Sequence, residues 1–192
     1  MLSVSGLGHR YGPRWLFRDL GFELSATDRL LIRGKNGSGK STLLRILAGL
    51  QTPTTGTVSS FADARTTVGY VALEMALYPS LTVLEHLTLA ASLRGVPARE
   101  EELLETVALS ASAKLLASQL STGLKTRLKL ALALQTDPSV LLLDEPGAGL
   151  DEDGRNLLDR VVSAHARQGV VVIASNDPDE RRLANLELAL DG

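Results

Sequence analysis

Two kinds of apolar periodicity divide the chain. Residues 140–143 and 170–173 are unbroken apolar runs with no polar alternation. A strand solvated on one face alternates, so such runs predict strands covered on both faces, as in a parallel sheet between helical layers. Shorter strand-like runs precede them at 2–5, 21–24, 29–33, 57–60 and 67–71, and another follows at 186–190. From about residue 74 to 134 the pattern turns helical, over 83–93, 99–108 and 122–135, punctuated by Pro79 and by Gly95-Val96-Pro97. Residues 153–167 read as a further helix. The simplest organisation is a single domain over 1–192, with an α/β core at 1–73 and 135–192 and a helical block at about 74–134 inserted into it.

The run Gly34-Lys35-Asn36-Gly37-Ser38-Gly39-Lys40-Ser41-Thr42 follows the short apolar stretch Leu30-Leu31-Ile32 and opens a helical pattern that ends near Gly49. It fits G-x-x-x-x-G-K-[ST] in the strand, loop and helix context that this pattern needs. Backbone N–H groups of the loop and the helix N-terminus would face anionic phosphates, Lys40 would reach the outer ones, and Ser41 would hold Mg²⁺.

The strand at 140–143 ends in Asp144-Glu145-Pro146. In phosphate-loop enzymes an aspartate there assists the metal, and the adjacent Glu145 can orient or deprotonate the attacking water. A strand ending in a charged turn is common, but this one lies downstream of a phosphate loop in the order such a site requires. Upstream, Leu120-Ser121-Thr122-Gly123-Leu124 opens a helix, with Ser121 as its N-cap and Gly123 permitting close approach to the backbone.

Bulk properties narrow the picture. The 192 residues are 44% hydrophobic, which supports a real core, and the net charge of −2 gives no basic surface for nucleic acid. There is no cysteine, which excludes disulfides and thiol chemistry and fits a cytosolic protein. No apolar run reaches the length of a membrane span, and the N-terminus is too short and uncharged for a signal peptide.

In their order, these motifs resemble the ATP-binding subunits of ABC (ATP-binding cassette) transporters over essentially the whole chain. Leu120-Ser121-Thr122-Gly123 resembles the family's Leu-Ser-Gly-Gly-Gln signature, Gly149-Leu150-Asp151 its D-loop, and residues 77–83 the start of its helical subdomain; Tyr11 stands at about the spacing of the aromatic that stacks on adenine. The resemblance implies a P-loop NTPase fold, an ABC-type core with an N-terminal antiparallel portion. It also implies ATP and Mg²⁺ as cofactors, with Tyr11, Gly34, Asn36, Gly37, Ser38, Gly39, Lys40, Ser41 and Thr42 on ATP, and Ser41 and Asp144 on the metal. Two cassettes, as a homodimer or a pair, would sandwich two ATP molecules, each gripped by Lys40 and Ser41 of one subunit and by Ser121, Thr122 and Gly123 of the other. Asp151 would lie at that interface, and hydrolysis would drive an integral membrane subunit from its cytoplasmic face.

Besides Thr122 and Leu124, which depart from the signature, two expected residues of the family pattern are missing. Leu73 stands where a glutamine normally contacts metal and water, with Glu74 as a neighbour that could replace it. Asn176 replaces the switch histidine in Ser175-Asn176-Asp177; its amide donates a hydrogen bond but never titrates. His9, His86 and His165 fall outside the motifs and are expected in surface or boundary roles. The chain resembles most the cytochrome c biogenesis (haem exporter) subunits within the family. The reading it supports is a transporter ATPase, against an ATP-gated clamp with vestigial hydrolysis, favoured by Leu73 and Asn176, or a soluble non-transport ABC protein. The Leu-, Met-, Ala- and Tyr-rich stretch 73–93 offers a groove for a short helix of a membrane partner, or simply packs the helical block.

Overall fold

The computed structural model describes residues 1–59 and 64–190; residue 60, at the end of an expected strand, and the last two residues of the expected domain lie outside the described residues. Strands β1 (Leu2–Tyr11) and β2 (Arg14–Leu24) form a hairpin across Gly12-Pro13, and β4 (Thr55–Ser59) pairs with the other edge of β1, all antiparallel. The hairpin strands, 10 and 11 residues, are more than twice as long as their apolar patterns predict. Register shifts between Val4 and Leu7 and between Leu7 and Arg10 break the two-residue alternation on which that prediction relies.

A second sheet is wholly parallel, in the order β5 (Val68–Val71), β6 (Val140–Asp144), β7 (Val170–Ala174), β3 (Arg29–Arg33), β8 (Leu186–Ala189). Alternate residues of each central strand enter two separate cores. Leu30, Ile32, Val140, Leu142, Val170 and Val172 pack with helix α1 (Lys40–Leu47) and with Leu2, Val4 and Leu7 of β1. Leu31, Leu141, Leu143, Val171 and Ile173 face the helices α3 (Val83–Arg94), α4 (Glu100–Thr106), α5 (Thr122–Leu134) and α6 (Glu152–His165). Every residue of β6 and β7 is buried, which is why these strands read as unbroken apolar runs. A single helical turn, α2 (Ala64–Thr67), leads into β5.

Local chemistry sets the helix ends. Thr82 and Glu85 form a reciprocal capping box at the start of α3, Thr82 Oγ1 accepting the Glu85 N–H at 3.2 Å and Glu85 Oε2 accepting the Thr82 N–H at 2.7 Å. Helix α4 stops at Thr106, two residues short of the predicted end, because Ala108 turns into the left-handed region at φ +53°.

The three histidines are buried, contrary to the surface or boundary roles expected of them. Each finds a reason to be inside. His9 Nε2 lies 2.8 Å from Gln51 Nε2, and His86 bridges Thr82 O at 2.8 Å and the Tyr78 N–H at 3.0 Å, so its Nδ1 carries the proton. His165 closes α6 against Gly169, where burial pushes its pKa down despite the opposing pulls of Asp137 and a backbone hydrogen bond to Val170. The folded protein therefore binds fewer protons at His165 than the unfolded chain. Stability from its neutral form is complete above the unfolded value of about 6.5 and is lost as pH falls toward the lower folded value. The drop in Tm between about pH 7 and about pH 5.5 should be smaller in His165→Leu than in the parent; equal drops would contradict this assignment.

Candidate active site

Strand β3 ends at Arg33, and the next residues wrap into a loop that enters α1 at Lys40. Gly39 is the N-cap, at φ +102°, where a Cβ would come within 3.1 Å of Leu16 and Phe17 from β2. Only glycine fits that backbone comfortably, and its presence lets the antiparallel sheet close against the loop. Lys40 is buried, its Nζ donating to Gly34 O at 2.8 Å across the loop. The loop and the start of α1 line a cleft of about 460 Å³ with Tyr11, Leu16 and Glu145. Tyr11 stands half-exposed at this cleft, its hydroxyl accepting from Gln51 Nε2 at 3.0 Å and its ring edge-on to His9. The Gln51 hydrogen bond, helped by one with Thr42, lowers the phenol's pKa.

The neighbouring strands bring their carboxyl ends to the same edge. Asp144 closes β6, buried; desolvation pushes its carboxyl up, while the Ser41 hydroxyl and the Arg45 and Lys40 cations pull it back. One of its oxygens, Oδ1, is buried without a hydrogen-bond partner among the described residues. Glu145 adopts a left-handed backbone at φ +48°, a conformation that costs a non-glycine residue about 1–3 kcal/mol. Its N–H donates to Ala174 O at 2.9 Å, its carbonyl accepts the Ala148 N–H at 3.1 Å, and its Oε2 accepts the Ser175 hydroxyl at 3.3 Å. From the end of β7, Asn176 reaches the phosphate loop, its Nδ2 donating to Asn36 Oδ1 at 2.7 Å.

Not every residue singled out from the sequence gathers here. Ser121 caps α5 by accepting the Leu124 N–H at 3.3 Å, and Thr122 and Gly123 lie against Gly149. Asp151 caps α6 through the Gly154 N–H at 2.8 Å and stands 3.9 Å from Arg127 of α5. These residues form a second cluster that does not line the cleft. Glu74 is exposed and pairs with Arg45 at 3.6 Å, and Leu73 is exposed while Lys129 holds its carbonyl at 2.5 Å. Gln51, Arg45, Lys129 and Glu180 support the site without any local signal in the sequence. Each acts on residues far along the chain, and only the fold brings them close.

The ABC transporter family model matches residues 17–148. The chain is 38% identical over 175 residues to the cytochrome c biogenesis ATP-binding export protein CcmA of Hyphomonas neptunium, covering 91% of this chain and 89% of that protein. It is 37% identical to the CcmA of Rhodopseudomonas palustris over 92% of each, and 35% identical to the Fe(3+) ions import ATP-binding protein FbpC 2 of Rhodococcus jostii over 96% of this chain and 58% of that one. Among solved structures, the ATP-binding cassette MJ0796 in a dimeric post-hydrolysis state bound to ADP and Pi matches with a TM-score of 0.89 at 25% identity, covering 100% of this chain and 94% of that one. A separate dimeric structure of MJ0796 matches with a TM-score of 0.85 at 25% identity, over 99% of this chain and 94% of that one.

Gly39→Ala adds a methyl to a left-handed backbone already in contact with β2. It should weaken ATP binding at least about tenfold, read by nucleotide titration, with β2 and the loop forced apart; unchanged affinity would contradict the packing described.

Proposed function

Because the chain belongs to the ABC transporter family, we propose that it is a transporter's ATP-binding subunit and that it hydrolyses ATP in the cleft between the phosphate loop and Glu145. The observation that carries the reading is one nucleotide-sized cleft lined by the phosphate loop, Tyr11 and Glu145, with Asn176 hydrogen-bonded to Asn36 of that loop.

Each residue has a distinct task in this reading. Gly34, Asn36, Gly37, Ser38 and Gly39 wrap the phosphates, with backbone N–H groups and the α1 N-terminus supplying positive potential. Lys40 moves from Gly34 O to the outer phosphates, Thr42 supports the loop, and Tyr11 stacks on the base. Glu145 orients the attacking water and takes its proton. Asn176 donates its amide N–H to the γ-phosphate in the state where it releases Asn36. The unpartnered Asp144 Oδ1 beside the Ser41 hydroxyl is a donor set that fits Mg²⁺, and Glu74 could join it once freed from Arg45. When bound there the metal would neutralise phosphate charge.

A second subunit completes the site in this proposal. Ser121, Thr122 and Gly123, at a helix N-terminus and remote from the chain's own cleft, suit the γ-phosphate of a partner cassette, with Asp151 at the same face. The division into a core of 1–73 and 135–192 and a helical subdomain of about 74–134 belongs to the same reading. No helix among the described residues is long and apolar enough to cross a membrane. A membrane-spanning subunit would dock in the groove of about 180 Å³ lined by Met75, Leu77, Tyr78, Leu89 and Leu93, where Tyr78 and Leu93 stay largely exposed. The chain would then work at the cytoplasmic face of the membrane, and transport in cytochrome c biogenesis is the class its CcmA relatives suggest.

A clamp that binds ATP and hydrolyses it poorly is the second reading, favoured by Leu73, whose side chain has no polar atom to offer water or metal. Steady-state Mg·ATP hydrolysis separates the two. Lys40→Ala and Glu145→Gln should each lower turnover at least about 100-fold, with Glu145→Gln still binding ATP. Turnover equally low in the parent chain, with nucleotide bound, would favour the clamp.

The pH profile tests the Asn176 assignment. The parent's rate should show no inflection from this position, whereas Asn176→His should introduce one near about pH 6.5. An unchanged profile in the variant would remove Asn176 from the γ-phosphate.

A further inference from the structure

Behind Glu145 lies a carboxyl that the reading above does not use. Glu180 sits in the 3-10 turn Pro178–Leu183 that follows the Asn176 loop, and only 5% of its surface is exposed. Its Oε1 accepts the Gly147 N–H at 2.8 Å, inside the protein. A Cβ at residue 147 would stand 2.3 Å from that oxygen, and its three nearest neighbours would all be atoms of Glu180. The other oxygen, Oε2, is buried with no hydrogen-bond partner among the described residues. Burial pushes the carboxyl's pKa up, the nearby Ser175 hydroxyl and the Gly147 N–H pull it down, and the nearby Glu145 and Asp177 push it up again. An isolated buried carboxyl is costly to keep, and its use is visible in what it holds.

Gly147 lies two residues after Glu145, in a turn that belongs to no helix or strand. The turn is fixed at one end by the Glu145 N–H on Ala174 O and at the other by the Gly147 N–H on Glu180. Between these two anchors Glu145 keeps its φ of +48°. Ser175, which donates to the Glu145 carboxylate, also receives the Asp177 N–H at 3.0 Å, so the Glu145 turn and the Asn176 loop form one connected network.

We propose that Glu180 is a positioning residue for ATP hydrolysis: by holding the Gly147 N–H it fixes the turn that aims Glu145 and locks that turn to the loop carrying Asn176. The proposal rests on the reading of Glu145 as the water-orienting carboxylate. Glu180 need not touch nucleotide or water; it acts through Gly147. Removing it leaves a buried N–H unsatisfied and frees the turn to relax.

The test is steady-state Mg·ATP hydrolysis by the purified chain, with thermal melts to confirm folding. Glu180→Ala should lower kcat about tenfold with ATP KM changed less than about twofold, since the phosphate loop is untouched. Glu180→Gln keeps an acceptor for the Gly147 N–H and should restore kcat to within about twofold of the parent. Gly147→Ala, whose new methyl meets Glu180 first, should slow the enzyme in the parent background and add nothing in Glu180→Ala.

An unchanged kcat in Glu180→Ala would overturn the proposal, as would equal loss in the Gln and Ala variants, or additive effects in the Gly147 pair. If Glu180→Ala does not fold, Gly147→Ala and Glu180→Gln decide: the first must lower kcat and the second must not. Glu145→Gln run alongside keeps the two readings apart. Its retention of turnover would remove Glu145's role, whereas its loss of turnover beside a normal Glu180→Ala would remove only Glu180's.

Discussion

Backbone hydrogen bonding among β6, β7 and β3, adjacent and parallel in that order, is what the candidate site depends on. Parallel strands end at one edge, so the loops that leave them meet there whatever their distance along the chain. The loop after β3 leads into Lys40 and Ser41 at the start of α1, the one after β6 carries Glu145, and the one after β7 Asn176. The pairing of Ile32 with Ala174 and of Asp144 with the same Ala174 sets how far each strand projects before its loop begins. A slip of one residue in either pairing would turn inward-facing leucines and valines toward the other core, so the two hydrophobic clusters that flank the sheet also hold the site in register.

Burial on both faces also explains what could be read in the sequence. Strands β6 and β7 announce themselves because every residue is inside, and the phosphate loop and Asp144-Glu145 because their chemistry is contiguous in the chain. The hairpin β1 to β2 is only partly legible, since its register shifts scramble the alternation and its outer face is solvated. The histidines mislead for a related reason. Composition marks a polar ring as a surface residue, but His86 is inside because the backbone of residues 78 and 82 offers one donor and one acceptor at the right separation. Gln51, Lys129 and Glu180 were invisible because each acts across 33 or more positions of chain: Glu180 on Gly147, Gln51 on Tyr11, Lys129 on Leu73.

The departures from the family pattern at Leu73 and Asn176 have different physical weight. Asn176 keeps the one property its position uses in this structure, an N–H that spans to the phosphate loop, and gives up only the capacity to carry charge. Leu73 keeps nothing of a polar side chain, yet its carbonyl is held by Lys129, so the segment after β5 is anchored by its backbone instead. The segment stays ordered without a side chain that could report on metal or water. In the proposed reading, orienting the nucleophile then falls to Glu145 and the network that holds it.

That network is built to hold strain. Glu145 sits in a backbone conformation that only its surroundings maintain, and the groups that maintain it come from β7 and the turn beyond. The hydrogen bonds of Glu145 among the described residues run to Ala174, Ala148 and Ser175. In the proposed reading, nucleotide binds a loop anchored on β3, while the carboxylate that would orient water is held from β6 and β7. Asn176 adds a side-chain link between the two halves, beside the backbone hydrogen bond from the Ser175 N–H to Ile32 O. It stands next to Ser175, whose hydroxyl donates to the Glu145 carboxylate, so the contacts to Asn36 and to Glu145 come from neighbouring residues of one loop.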